Sequence, residues 1–224
     1  MSFIVGIDGP AGSGKGTVTK KVANKLGLIN IDTGITYRCV ALEVLNQKIS
    51  LDDTEKIIEV AKNIQIEIDN TPNGDIVYLD GKDVTKDIRS KEVTNVVSPL
   101  SSIKEVRFLM VDMQRRLAEG KNVIMEGRDI CTYVFPNADV KIYLDASIEE
   151  RAKRRYKENQ EKIIDMTYEE VYESIRKRDE NDKVKEIGAL KVAKDSIIVD
   201  TTSLTIDEVV EKIITIIKQR TDKL

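Results

Sequence analysis

The sequence has no histidine, no tryptophan and only two cysteines, Cys39 and Cys131. Without histidine there can be no Ser–His or Cys–His catalytic pair. Two isolated thiols, neither in a CxxC, argue against a zinc site. They fit a reducing cytoplasm, the expected location, better than a disulfide scaffold. The sequence does not open on a basic region followed by a long apolar stretch, so a signal peptide is not expected. No apolar run approaches the roughly 18 residues of a membrane helix, so a membrane partner is not expected either. An excess of one charge is missing too: Lys+Arg number 36 against Asp+Glu 39, a net charge of −3. A nearly neutral chain is a poor broad binder of nucleic acid, and any basic site on it must be local. Aromatics make up only 4% of the 224 residues, so a core must come from Ile, Val and Leu. The length suits one domain, and 41% hydrophobic residues suffice to build its core.

Order along the chain is legible from periodicity. Residues 3–7 read as a buried strand. Val18, Val22, Ala23 and Leu26 then recur at helical spacing up to Gly27, a natural helix stop. Leu28–Ile31 is a second apolar run. Ile64, Ile66 and Ile68 alternate with polar residues. The dipeptides Asn73-Gly74 and Asp80-Gly81 flank Ile76–Leu79, which predicts a small antiparallel insert. Val123–Met125, Val140–Leu144 and Ile197–Val199 read as further strands. Ser147-x-x-Glu150 and Thr205-x-x-Glu208 read as capping boxes at helix starts. Residues 147–185 are charged and helical in composition, and Ile206–Ile217 carry one apolar helix face. Strands alternating with helices predict an α/β chain, a mainly parallel sheet with helices on both faces.

Gly9-Pro10-Ala11-Gly12-Ser13-Gly14-Lys15-Gly16-Thr17 lies between the first strand and the first helix. Its spacing is that of a phosphate loop. Glycines let backbone N–H groups turn inward toward phosphate oxygens, the helix start adds positive potential, and Lys15 supplies a mobile charge. The usual Ser/Thr after the lysine is Gly16, so substrate phosphates and water would carry more of a bound Mg2+. A guanine-specific switch would want Asn-Lys-x-Asp; Asn24-Lys25-Leu26-Gly27 lacks the Asp and lies in the first helix.

Three further clusters could serve an acceptor. Asp32-Thr33-Gly34-Ile35-Thr36-Tyr37-Arg38 offers a hydroxyl, a ring and a guanidinium, although by itself it also fits an ordinary helix N-terminus. Arg128-Asp129 follows a strand end, where ligands bind in open α/β sheets; a surface salt bridge is the alternative there. Arg151, Arg154 and Arg155 share one helix, with Arg176, Arg178 and Asp182 beyond. Such charge is commonly a solvated face. Beside a phosphate loop it could instead neutralise a transferring phosphoryl group and exclude water.

GPAGSGKGT, DTGITYR, DVTKDIRSKEV, EGRDICTYVFPNADVKIYLDAS, IEERAKRR and RKRDENDK together resemble the bacterial cytidylate kinases, over about residues 3–217. The resemblance implies a P-loop kinase fold: a core of about 1–38, 99–150 and 186–224, a nucleoside monophosphate-binding subdomain of about 39–98, and a lid of about 151–185. It implies transfer of the ATP γ-phosphate to CMP or dCMP, with Mg2+ assisting and no protein residue assigned to the metal. Gly9–Thr17 would bind ATP. Asp32, Thr33, Tyr37, Arg38, Ser98, Arg107, Arg128, Asp129, Arg178, Asp182 and Lys185 would bind CMP. Lys15, Arg128, Arg151, Arg155 and Arg178 would act on the moving group. Asp129 would accept from the cytosine amino group, Arg107 and Ser98 would donate to its acceptors, and Arg178 and Asp182 would reach the sugar. Glu126 stands where the family often has Asp, Cys131 where it has Gly, Lys185 where it has Arg and Gly188 where it has Pro. Small nucleotides are the expected partners, and a monomer is expected. A P-loop kinase with another acceptor and a slow nucleotide switch are the alternatives.

Overall fold

A computed structural model describes residues 2–71, 74–161 and 163–220. The chain divides into two compact units, residues 1–31 with 120–224, and residues 32–119.

The larger unit is built on a sheet of order β2-β6-β1-β7-β8, comprising β1 (Ile4–Asp8), β2 (Ile29–Asp32), β6 (Val123–Gly127), β7 (Val140–Asp145) and β8 (Ile197–Asp200). β1 pairs in parallel with β6 on one side and β7 on the other, and β7 pairs in parallel with β8. A central parallel strand is covered on both faces, which is why Ile4–Ile7 is a continuous apolar run rather than an alternating one. Phe3, Val5 and Ile7 share a core with Val18 and Val22 of α1 (Lys15–Leu26) and with Val209, Val210, Ile213 and Ile217 of α8 (Ile206–Arg220). Gly6, which faces the other side of the sheet, lacks a side chain for a specific reason: a Cβ there would stand 2.8 Å from Cys131 Sγ. Gly27 ends α1 in the left-handed region (φ 66°), as its place in the sequence predicts.

Two charged helices follow β7: α6 (Ile148–Glu161) and α7 (Tyr168–Val184). They pack through a small core of Ala152, Val171 and Ile175, with Tyr156 and Tyr168 edge to face at 6.1 Å. At the start of α6 only half of the expected capping box forms. Glu150 N–H donates to Ser147 Oγ (3.2 Å), but Ser147 N–H donates to Thr202 Oγ1 (3.1 Å) and Glu150 Oε1 accepts from Arg154 instead. The Thr205–Glu208 box is complete in both directions. A third box, Thr167–Glu170, starts α7.

The smaller unit holds α2 (Gly34–Asn46), α3 (Thr54–Asn63), α4 (Lys91–Leu100) and α5 (Lys104–Ala118) with an antiparallel sheet of β3 (Ile66–Thr71), β4 (Gly74–Leu79) and β5 (Lys82–Asp83). Ile64 caps α3 rather than opening the strand. The Asp80-Gly81 turn has both residues at positive φ, 50° and 78°, the backbone of a two-residue hairpin. Asn73 of the other turn dipeptide lies outside the described residues. The unit extends past 39–98 because Ile35, Val40 and Val44 of α2 and Val106 and Met110 of α5 share one core with Ile57, Val77 and Val93.

Candidate active site

In the larger unit the phosphate loop runs from the end of β1 into α1. Gly9 has φ 154°, and a Cβ on it would sit 2.1 Å from the Leu144 carbonyl oxygen of β7, so no other residue fits. Gly12 has φ 78° and lies under α6, where an added Cβ would be 3.2 Å from that of Arg151. Lys15 turns back into the loop. Its ammonium donates to the carbonyls of Gly9 (2.7 Å) and Pro10 (2.8 Å) and to Ser13 Oγ (3.3 Å). Burial, reinforced by the Arg128 charge, holds its pKa well below the ordinary lysine value. An anion beside it would reverse that penalty.

Glu126, Arg128 and Asp129 follow from the end of β6, next to β1 in the sheet. Glu126 is buried and accepts from Thr19 Oγ1 at 3.3 Å. Its Oε1 would be 3.2 Å from a Cβ at Gly16. The missing side chain of Gly16 is thus matched to a glutamate that reaches toward the loop. Arg128 Nε donates to Asp182 Oδ2 of α7 at 2.9 Å, and Lys185 Nζ donates to Asp182 Oδ1 at 2.9 Å. Burial pushes the Asp182 carboxyl up, but Arg128 and Lys185 outweigh it and hold the pKa below the ordinary value. The charge of Arg178 acts on both Lys15 and Asp182. Arg128, Arg178, Asp182 and Lys185 therefore form one electrostatic group with the loop lysine.

The arginines of α6 are used differently from one another. Arg151 is buried; it donates to the carbonyls of Ala146 (3.0 Å) and Ala11 (3.0 Å) and to Asp179 Oδ2 (2.6 Å), tying the loop to α6 and α7. Arg154 binds Glu150 and the Thr201 carbonyl. Arg155 is exposed and pairs with Glu158 at 3.1 Å.

The remaining predicted site residues lie in the smaller unit. Asp32 Oδ1 accepts from Gly34 N–H (2.9 Å) ahead of α2, and the carbonyl of Thr33, its N-cap residue, accepts from Thr36 Oγ1 (2.8 Å). Gln114 of α5 donates to that same hydroxyl at 3.0 Å. The Arg107 guanidinium lies 5.7 Å from the Tyr37 ring centroid and donates to the Ser101 carbonyl (3.2 Å). Arg38 donates to the Ile88 carbonyl (2.9 Å) and Thr94 Oγ1 (3.0 Å). Ser98 lies in α4, and its carbonyl accepts from Ser101 and Ser102. Sequence reasoning missed Asp8, Asp179, Thr94 and Gln114. Only Asp8 carried a signal, as a carboxylate closing an otherwise apolar strand.

The family model for cytidylate kinase matches residues 5–219. The chain belongs to the cytidylate kinase family. It is 49% identical over 210 residues to the cytidylate kinase of Caldicellulosiruptor bescii, covering 94% of this chain and 93% of that one. To the cytidylate kinase of Bacillus subtilis it is 46% identical over 216 residues, covering 96% of each. The fold is also that of solved P-loop kinases. Shikimate kinase from Acinetobacter baumannii matches with a TM-score of 0.50 at 14% identity, over 100% of this chain and 97% of that one. An uncharacterized protein from Eubacterium ventriosum matches with a TM-score of 0.58 at 12% identity, over 98% of this chain and 100% of that one. Membership of a kinase family makes this a phosphotransferase using nucleotide substrates. No helix among the described residues is long and apolar enough to cross a membrane.

Proposed function

We infer that the protein transfers the γ-phosphate of ATP to CMP or dCMP, giving ADP and CDP or dCDP. The observation that carries this reading is the adjacency, across the β1–β6 pair, of the phosphate loop and the Arg128-Asp129 turn: Asp8 at the head of the loop is in register with Gly127. Donor binding and acceptor recognition would thereby share the C-terminal end of one strand pair.

ATP fits the loop. The Gly9 position admits no side chain, the Gly12 position would strain one, and Lys15 is a buried cation whose ionisation an anion would favour. Lys15 would exchange the Gly9 and Pro10 carbonyls for phosphate oxygens. Mg2+ also fits, as a cation carried mainly on phosphates and water. No cluster of three or more acidic, histidine or cysteine ligands occurs among the described residues, while the Glu126 carboxylate beside Gly16 is a hard oxygen group able to hold a metal-bound water. When bound, the ion would neutralise charge on the phosphates and hold them in line.

On the acceptor side, Arg128 and Lys185 would hold the CMP phosphate, which requires them to leave Asp182. Asp182 and Arg178 would then meet the sugar. Asp129 would accept from the cytosine amino group, and Arg107, Ser98, Tyr37, Arg38, Thr33 and Asp32 would serve base and phosphate. Uracil offers a carbonyl where cytosine offers that amino group, and a site built on the missing bond discriminates on the order of 10⁴-fold. An acceptor phosphate oxygen would attack the γ-phosphorus as its bond to the ADP oxygen breaks. No general base is needed, since a phosphate monoester with a second pKa of about 6 is already ionised. Arg155 and Arg178 would neutralise the group in flight, while Arg151, held by Asp179, would position the loop. Residues 39–98 and 151–185 would act as acceptor-binding subdomain and lid. A coupled ADP-release assay over CMP, dCMP, UMP, AMP and no acceptor tests this. Turnover confined to the two cytidine nucleotides is expected. Equal turnover of UMP or AMP, or turnover without acceptor, would refute it.

A further inference from the structure

Asp8 has no part in the scheme above, yet it is the last residue of β1, directly ahead of the phosphate loop, and only 1% exposed. Both of its oxygens are engaged. Oδ1 accepts from the N–H of Ile130 and Oδ2 from the N–H of Cys131, each at 2.8 Å. Those are the first two N–H groups of the short helical turn Ile130–Val134. Such groups have no partner inside a helix and are ordinarily satisfied by the side chain of the N-cap residue. The N-cap here is Asp129, a residue type suited to the task, yet its side chain does not cap the turn. Asp8 does so instead, from the neighbouring strand.

This arrangement fixes the Asp129 backbone from both sides. Its carbonyl accepts from Tyr133 N–H (2.8 Å) and Val134 N–H (3.1 Å), while the next peptide N–H is held by Asp8. Asp129 stays at φ −144°, ψ 22°, outside the helix and strand wells. A backbone in such a conformation persists only where its surroundings over-determine it. The alternative, Asp129 capping its own turn, would turn its carboxylate back onto the main chain.

We propose that Asp8 is a positioning residue for acceptor selection: by capping the 130–134 turn from β1, it keeps the Asp129 carboxylate out of the cap and directed at the base of the acceptor nucleotide. This rests on the reading of Asp129 as the group that meets the cytosine amino group. Substrate choice would then be set in part by a strand residue that touches neither nucleotide.

The test is Asp8→Asn alongside Asp129→Ala. Asparagine keeps the shape but offers one acceptor and sets its NH2 against the second N–H. Asp8→Asn is expected to raise the KM for CMP at least tenfold and to lower the CMP-over-UMP preference at least tenfold. ATP binding, measured by calorimetry without acceptor, should stay within twofold. Unchanged preference in Asp8→Asn, with preference lost in Asp129→Ala, overturns the role of Asp8 alone. Preference retained in Asp129→Ala overturns the base-reading assignment and this inference together. Should Asp8→Asn not fold, the wild-type preference is followed from pH 5 to 7.5. The acceptor phosphate titrates alike in CMP and UMP and cancels from the ratio. The groups whose charges act on or respond to Asp8 are Asp129 and Cys131 on the turn, Lys15 on α1 and Tyr143 on β7. Burial holds the Asp8 carboxyl up at about 6, so the preference should fall as pH drops through that value. A preference flat across the range overturns the proposal.

Discussion

Replacing Asp179 by alanine isolates one buried charge. Arg151 and Asp179 meet at 2.6 Å with side chains 7% and 9% exposed. After truncation the guanidinium keeps its bonds to the Ala146 and Ala11 carbonyls but loses its counter-ion. Removing one member of a buried pair costs about 3–5 kcal/mol, because the remaining charge is left desolvated. The lower end applies here. Asp179 Oδ1 has no hydrogen-bond partner among the described residues, so the carboxylate itself carries a penalty that the substitution relieves. Urea unfolding followed by circular dichroism should therefore register a loss of about 3 kcal/mol. The pair Arg151→Met with Asp179→Leu removes both charges and should recover to within about 1 kcal/mol of wild type. Its turnover should nonetheless remain reduced, since the Ala11 carbonyl loses the donor that fixes the loop. A single-variant loss under about 1 kcal/mol, or a double variant no more stable than the single, would refute the reasoning.

Three other outcomes are expected. Gly9→Ala drives a methyl group into the Leu144 carbonyl, so it should cost about 3 kcal/mol or more and abolish ATP binding, read by thermal unfolding and calorimetry. The Asp8 pKa rises from 3.8 to about 6 on folding, so the native state binds more protons than the unfolded state between those values and wild type loses stability as pH increases through them. Asp8→Asn has no such titration, and from pH 3.5 to 7 its stability should gain on wild type by about 3 kcal/mol in paired urea titrations. Thr167→Ala removes the capping box of α7 and should lower thermal stability by about 1 kcal/mol without changing the KM for ATP.

Much of the fold was readable because its signals are local. The run 3–7 has strand length, Gly27 stops a helix of 3.6-residue period, and Asp80-Gly81 closes a hairpin, each decided within a few residues. The parallel sheet followed from alternation of element types. What escaped depends on residues far apart in the chain. The Ser147 box is half replaced because Thr202, some fifty residues later, takes the Ser147 N–H. Residues 32–38 and 99–119 fall with the smaller unit because a shared core, invisible to periodicity, binds α2 to α5. In the site, the loop and the Arg128-Asp129 turn were legible as motifs. The engagement of Arg151 was not, because its partners come from the loop, β7's end and α7, and a sequence shows only that an arginine is present.

The contact between Gly6 and Cys131 also constrains how this sequence can drift. A thiol at 131 is tolerated because the strand opposite contributes only hydrogen at 6, and an alanine there would meet sulfur at 2.8 Å. A lineage could acquire a methyl group at 6 only after 131 had lost its sulfur, so the two sites should exchange bulk in that order.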